Sequence, residues 1–446
     1  MSRNDTETDV LYPDYPQLSR VYEQLNDDED ARVCKDIPET ACRHQPRNFF
    51  AYLAANALSK IADELSSARL VLPWLIGAAG ASSGFAGFLV PIREAGVLVP
   101  QLLVAAYIRR VARRKYVWML GAVLSMLALA GMAWASGTLT GSALGWAVVI
   151  LLAVYSIARG FCSVAAKDVL GKTVSKTRRG TLMGYSASVA GAATLAVGLY
   201  AEFGSGEEGV NLSLFLGVAA LLWLLSLLAF SRIEEAAGST EGGGNALLVA
   251  FKSLSILWRD RDFRRFVIGR ALLLSVALVP PFFVLLAQQL AGSEVTGLGL
   301  MIIASGLAAS LSSPIWGKLS DRSSRWAMVL AAMAGGVICG VAAVGAWLEW
   351  SLWASLWTHA LLFFGISICH GGARLGRKVY LVDMANSETR AQYVAVSNTA
   401  IGLSMLVLGA VGLLASWVGI AGVIGLLGTL SLAAAVYGLQ LKEVSG

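Results

Sequence analysis

The chain has 446 residues, of which 56% are hydrophobic and only 14% charged. That is too apolar for one water-soluble core, so a lipid bilayer is the expected solvent. The formal net charge of +6 would suit nucleic acid, but the basic residues cluster in tails and alternate loops beside apolar runs, so no nucleic acid partner is expected.

Residues 1–48 are polar and acidic, with Asp27, Asp28, Glu29 and Asp30 in one run and no apolar segment near the start. A disordered cytoplasmic tail without a cleavable signal peptide is the expectation. Cys34 and Cys42 lie in this tail and Cys162, Cys339 and Cys369 in apolar runs, with no CxxC pair. The odd number and the placement argue against a disulfide framework, and Cys42 with His44 is too sparse a pair to predict a metal site. No metal and no cofactor is expected.

A helix needs roughly 20 apolar residues to cross a bilayer. Runs of that length fall near 58–80, 84–108, 116–135, 144–165, 181–201, 210–230, 266–290, 296–317, 326–347, 352–373, 392–415 and 418–440. The expected fold is all-α: twelve transmembrane helices as two six-helix bundles, 49–231 and 266–440. A linker, 232–265, joins them, and 441–446 forms the C-terminus. Trp347, Trp350 and Trp353 cluster at one boundary as an aromatic belt would.

Alternate loops differ in charge. One set carries Arg109, Arg110, Arg113, Arg114 and Lys115, then Lys167, Lys172, Lys176, Arg178 and Arg179, then Lys318, Arg322 and Arg325, then Arg374, Arg377, Lys378 and Arg390. The opposite set carries Glu202, Glu207, Glu208, Glu294 and Glu349. The positive-inside rule places the first set, both termini and the linker in the cytoplasm of a bacterial cell, with the chain multi-pass in the inner membrane.

Several spans carry charge, which costs on the order of 2.5 to 3.5 kcal/mol per group at mid-membrane and calls for a partner, an aqueous cavity or a use. The first span holds Lys60, Asp63, Glu64 and Arg69, the second Arg93 and Glu94, the fourth Arg159 and the seventh Arg270. At about 1.5 Å per residue, Asp63 and Glu64 lie at nearly the depth of Arg159, and Arg69 comes near the depth of Glu94, so each set is positioned to pair. Two readings stand side by side. Asp63, Glu64 or Glu94 exchanges a proton while Arg69, Arg93 or Arg159 holds an anionic group, or the charges form static pairs that fix helix packing. Lys60 and Arg270 are expected at the interface. Pro280 and Pro281 should kink the seventh span, and glycines at 419, 422, 425 and 428 permit close packing in the last.

The two halves repeat at an offset of about 211 residues. AAYIRRVARRK aligns with GKLSDRSSRWA, bringing Arg110 onto Arg322 and Arg113 onto Arg325. A second loop pair brings Lys167 onto Lys378, Arg179 onto Arg390 and Ser186 onto Ser397, and sets Arg159 against His370. His370 titrates near neutral pH in an ordinary setting and is a proton-site candidate, although a simple hydrogen-bonded role is the commoner one.

GKLSDRSSR, with Gly317, Asp321, Arg322 and Arg325, resembles the loop signature of the major facilitator superfamily between the second and third helices of a six-helix half. The first-half copy keeps only its basic residues, Arg110 and Arg113 among them. Arg159 with Gly160 partly resembles a second family motif, found in proton-coupled members, whereas the Gly-Pro step of proton-driven exporters is missing from the fifth span. The resemblance implies two bundles around a central cavity that opens alternately to each side, with Gly317, Asp321, Arg322, Arg325, Arg110 and Arg113 in gating loops.

The same resemblance implies a monomeric secondary transporter, a permease embedded in membrane lipids, moving a small-molecule solute by alternating access with proton coupling. The alternative is a transporter-like sensor signalling through its acidic tail. No nucleotide-binding loop, nucleophile elbow or zinc spacing is present, so an enzyme is not expected.

Overall fold

A computed structural model describes residues 17, 18, 21, 22, 37, 42–98, 111–204, 211–237, 255–292, 296–385 and 390–444. Most of the acidic tail, most of the linker and Arg110 lie outside the described residues. The helices are α1 (Gln45–Leu65), α2 (Val71–Ala78), α3 (Gly84–Leu98), α4 (Lys115–Thr138), α5 (Gly141–Thr173), α6 (Lys176–Leu199) and α7 (Leu212–Ser231). They continue as α8 (Arg261–Leu272), α9 (Leu274–Leu278), α10 (Pro280–Ala291), α11 (Thr296–Arg322), α12 (Ser324–Trp347), α13 (Leu356–Met384), α14 (Arg390–Gly409) and α15 (Ala415–Gly438).

Nine stretches among the described residues are long and apolar enough to cross a membrane, and the last, Gln392–Gly438, holds both α14 and α15. These account for ten of the expected spans. The first two, α1 with α2 and α3, carry the intramembrane charges that lower their hydropathy. All of it is helical packing: α4 lies on α5 and α7, and α1 lies on α6 and α7. In the second bundle α12 packs on α13 and α15, and α11 on α13.

Proline dictates where two spans break. Pro73 has no N–H to give and its ring would collide with the carbonyl four residues earlier. The first span therefore stops at Leu65 and restarts at Val71, with Pro73 in the opening turn of α2. Ser66 closes the first piece by donating from Oγ to the Ala62 carbonyl at 2.7 Å. The expected start at residue 58 is thus 13 residues late, because α1 is a half-polar helix that begins at Gln45. Pro280 and Pro281 open α10 in its first turn, so the seventh span breaks at Val279 where the prolines predict it, and a second break at Leu273 lies outside that expectation.

Opposite-facing bundle ends behave differently. On the side of the acidic loops, backbones of the two bundles touch. A Cβ added to Gly87 would lie 2.5 Å from the Gly412 Cα, and one on Gly299 would lie 2.5 Å from the Glu202 backbone nitrogen, so only glycine fits at either place. Gln288 Nε2 also donates across the interface to the Trp74 carbonyl at 3.0 Å. The bundles meet there.

A pair of clasps marks the basic side. In the first bundle the buried Glu235 carboxylate, just past α7, accepts from the Arg114 and Lys115 amides at 3.1 and 2.7 Å and from Lys172 Nζ at 3.1 Å. In the second, Glu443, just past α15, accepts from Ser323 Oγ at 2.7 Å and pairs with Arg325 Nε at 3.2 Å. Each bundle thus ties the N-terminus of its third span to the chain leaving its sixth, which favours an acid at a helix N-terminus. The tail also departs from expectation at one point, since Cys42 is disulfide-bonded.

Candidate functional site: a charged central cavity

Between the bundles lies a cavity of about 1420 Å³ lined by α1, α3, α5, α6, α11 and α13. Its first-bundle wall is organised by Asp63. Arg93 Nη2 donates to Asp63 Oδ1 at 2.9 Å, Tyr155 Oη donates to the same oxygen at 2.5 Å, and Arg159 Nη2 donates to Oδ2 at 2.5 Å. One carboxylate on α1 therefore holds α3 and α5, the latter twice.

Aromatic rings complete the hub. The Arg159 guanidinium sits 4.8 Å from the Trp223 ring centre and Arg93 5.1 Å from that of Tyr155, distances at which a cation is attracted to a ring face. Trp223 Nε1 in turn donates to Tyr155 Oη at 3.2 Å, bringing α7 into the same network. Arg69 and Glu94 form a second pair at 3.0 Å. Asp63 with Arg159 and Arg69 with Glu94 are the pairs expected from depth along the helices, whereas Asp63 with Arg93 is a pair that depth alone does not predict.

Glu64 differs from its neighbours. Its side chain lines the cavity but has no hydrogen-bonded or salt-bridged partner among the described residues, while the guanidinium groups of Arg69 in its own bundle and, less strongly, of Arg374 in the facing one act on it across the space. Among the three candidate carboxylates, Asp63 and Glu94 are committed and Glu64 is free.

Four residues stand where sequence reading does not put them. Loop charge places Arg374, Arg377 and Lys378 outside the helices, but α13 runs on to Met384 and makes them helical, with Arg374 and Lys378 in the cavity wall. The apolar run ends about three turns before the helix does, and hydropathy follows the run. Arg270 is not interfacial: it is 7% exposed and donates to Ser397 Oγ at 2.6 Å and Asn398 Oδ1 at 3.0 Å. Its partners come from α14, 127 and 128 residues away, which no local pattern reveals.

His370 also departs from the simpler reading, because both ring nitrogens are buried without a hydrogen-bond partner and the ring faces the cavity. Tyr155 and Trp223 escape sequence reading because a single aromatic on an apolar helix carries no signal of its own. The gating residues lie at the basic side. Asp321, Arg322 and Arg113 are exposed, Gly317 is near the end of α11, and Arg325 is held in the Glu443 clasp, where it also donates from Nη1 to the Leu441 carbonyl at 3.2 Å. Asp321 makes no ion pair among the described residues. No cluster of His, Cys, Asp and Glu among the described residues could hold a metal ion.

The overall helical fold is shared with known proteins. The family model described as Major Facilitator Superfamily matches residues 268–444. That match covers less than half of the chain, all of it in the second half. The chain is similar in fold to a D-xylose–proton symporter at 14% identity, over 89% of this chain and 99% of that one, with a TM-score of 0.66. A POT family transporter in complex with 5-aminolevulinic acid aligns at 13% identity over 87% and 95%, with a TM-score of 0.67. A nucleoside transporter, NupG, aligns at 16% identity over 88% and 99%, with a TM-score of 0.64. No curated protein matches by sequence. Identities this low carry the fold alone.

Proposed function

We propose that this protein is a proton-coupled secondary transporter that moves a small solute across the bacterial inner membrane by alternating access. The observation that carries the reading is the division of labour in the cavity wall: Asp63 and Glu94 are locked by arginines, and Glu64 alone is free to take up and release a proton without breaking an ion pair. The positive-inside rule makes the basic side cytoplasmic, so the cavity is the inward-facing one and both termini are inside. The two bundles, 49–231 and 266–440, are the moving bodies. The glycine contacts at the acidic side form the outer seal, and the protein works as a monomer, its exposed apolar helix faces solvated by lipid.

Alternating access requires two packings of similar free energy, and a ligand shifts them only by binding one better than the other. A proton on Glu64 removes one charge from the cavity and so changes which packing is favoured. Gly317, Asp321 and Arg322, unpaired among the described residues in the inward-facing state, are available to join the cytoplasmic ends when the outer side opens.

The test uses proteoliposomes loaded with a pH-sensitive dye and offered D-xylose, uridine, dialanine, succinate or phosphate in turn. At least one solute should drive proton movement in the wild type. Glu64→Gln should abolish that movement while solute-for-solute exchange continues. Proton movement of wild-type size in Glu64→Gln would remove Glu64 from the mechanism.

A further inference from the structure

Charge is unevenly matched across the cavity. The first bundle contributes cations and acids that pair with each other, as Asp63 does with Arg93 and Arg159, and Glu94 with Arg69. The second bundle lines the cavity with His370, Arg374 and Lys378 and, among the described residues, with no carboxylate. These three stand at positions i, i+4 and i+8 of α13, so they share one helix face with a rise of about 6 Å between neighbours.

None of the three has a hydrogen-bonded or salt-bridged partner among the described residues. His370 is 9% exposed, and both its ring nitrogens are buried without a partner. One turn along, Arg377 leaves a buried Nε without an acceptor, and it acts electrostatically on the buried Arg270 of α8. Unpaired cations gathered in a membrane interior are costly, and the cost is relieved when an anion enters. Two hydroxyls of α11, Ser305 and Ser312, line the same space and suit the remaining acceptor positions of an oxyanion.

We infer that the α13 face of His370, Arg374 and Lys378 is an anion-binding subsite, and that the transported solute carries a carboxylate, phosphate or sulfonate group. The inference rests on the transporter reading above and gives its substrate a charge class. It also supplies a coupling step. In the empty cavity Glu64 is the one free acid facing Arg374; an entering anion takes over Arg374, and Glu64, left beside a second negative charge, accepts a proton. The proton comes from water in the cavity and no covalent bond changes.

The inference can be tested without knowing the solute. Ser367 lines the cavity one turn before His370. In an otherwise cysteine-free protein in nanodiscs, Ser367→Cys is labelled with two methanethiosulfonates, one bearing a sulfonate and one a quaternary ammonium. Corrected for their rates on a free thiol, the anionic reagent should react on the order of tenfold faster, as a positive cleft concentrates anions. Arg374→Gln and Lys378→Gln should each shrink that ratio, and Arg374→Lys should restore most of it.

Inorganic phosphate or succinate should slow the labelling and D-xylose should not. Slowing by phosphatidylglycerol nanodiscs instead of phosphatidylcholine ones, without added solute, would assign the anion to a lipid headgroup. Equal rates for the two reagents, or faster reaction of the cation, would overturn the subsite. Such a result beside measurable transport of a neutral sugar would leave the transporter reading standing. Anion preference without transport of any tested solute would support the subsite and count against the transporter reading.

Discussion

Asp63 and Arg159, 96 residues apart in the chain, meet at 2.5 Å in the centre of the first bundle, and the same carboxylate also holds Arg93 and the Tyr155 hydroxyl. Three spans are pinned by one acid. Removing one partner of a buried charge cluster leaves the others uncompensated, which costs about 3–5 kcal/mol. Asp63→Asn should therefore lower the thermal midpoint of the purified protein strongly. Glu64→Gln, one residue away but unpaired, should change stability by less than about 1 kcal/mol. Differential scanning fluorimetry of the two variants reads the contrast directly, and equal effects would contradict the distinct roles of the two acids.

The outer seal depends on two glycines whose backbones are in contact. A leucine at Gly87 has no room against Gly412, so Gly87→Leu should separate the bundles at that end and favour the outward-open packing. A water-soluble maleimide applied from outside should then reach a cysteine introduced at Ser305 faster than in the parent. Unchanged accessibility would mean that the seal is made elsewhere.

The clasps at the basic side are expected to be local in effect. Glu235→Gln loses the charge that holds Lys172 and weakens the caps on the Arg114 and Lys115 amides. Hydrogen exchange should rise by several-fold over residues 111–118 and stay unchanged around Ser323 and Glu443. Glu443→Gln should give the mirror pattern, and spreading of either effect across both bundles would contradict independent clasps.

At the start of the seventh span, Asp260 caps α8 by accepting from the Phe263 amide at 3.0 Å and also accepts from the Tyr393 hydroxyl. Despite partial burial, those hydrogen bonds hold its carboxyl below the usual value of 3.8. A depressed folded pKa means that the cap's contribution is complete above the unfolded value and is lost as pH falls through the folded one. The contribution of Asp260 to thermal stability should stay constant around neutral pH and fall only in acid. Asp260→Asn should flatten that acid limb, and an unchanged acid limb in the variant would remove Asp260 as its source.

How much of the molecule is legible in its sequence depends on the kind of contact. Apolar run length is enough for ten of the twelve expected spans. The depth of charges along a helix is enough to pair Asp63 with Arg159 and Arg69 with Glu94. Arg374 and Lys378 read as loop residues because a helix lining water can extend past its apolar stretch, and hydropathy is blind to that extension. Arg270 reads as interfacial because its partners, Ser397 and Asn398, are distant in sequence. Glu64 cannot be distinguished from Asp63 by position, since the difference is which of two adjacent side chains points at the arginines.

Alternating access governed by Glu64 is reported most directly by the spacing of the outer ends. Spin labels at Ser82 and Ser416, exposed residues on the outer side of the two bundles, give that spacing by electron–electron double resonance in nanodiscs. The wild type should show a short distance together with a longer one, and the balance between them should change with pH. Glu64→Gln should show both distances in a ratio that pH no longer alters. A single short distance at every pH, or the wild-type pH response in Glu64→Gln, would contradict control of the two packings by Glu64.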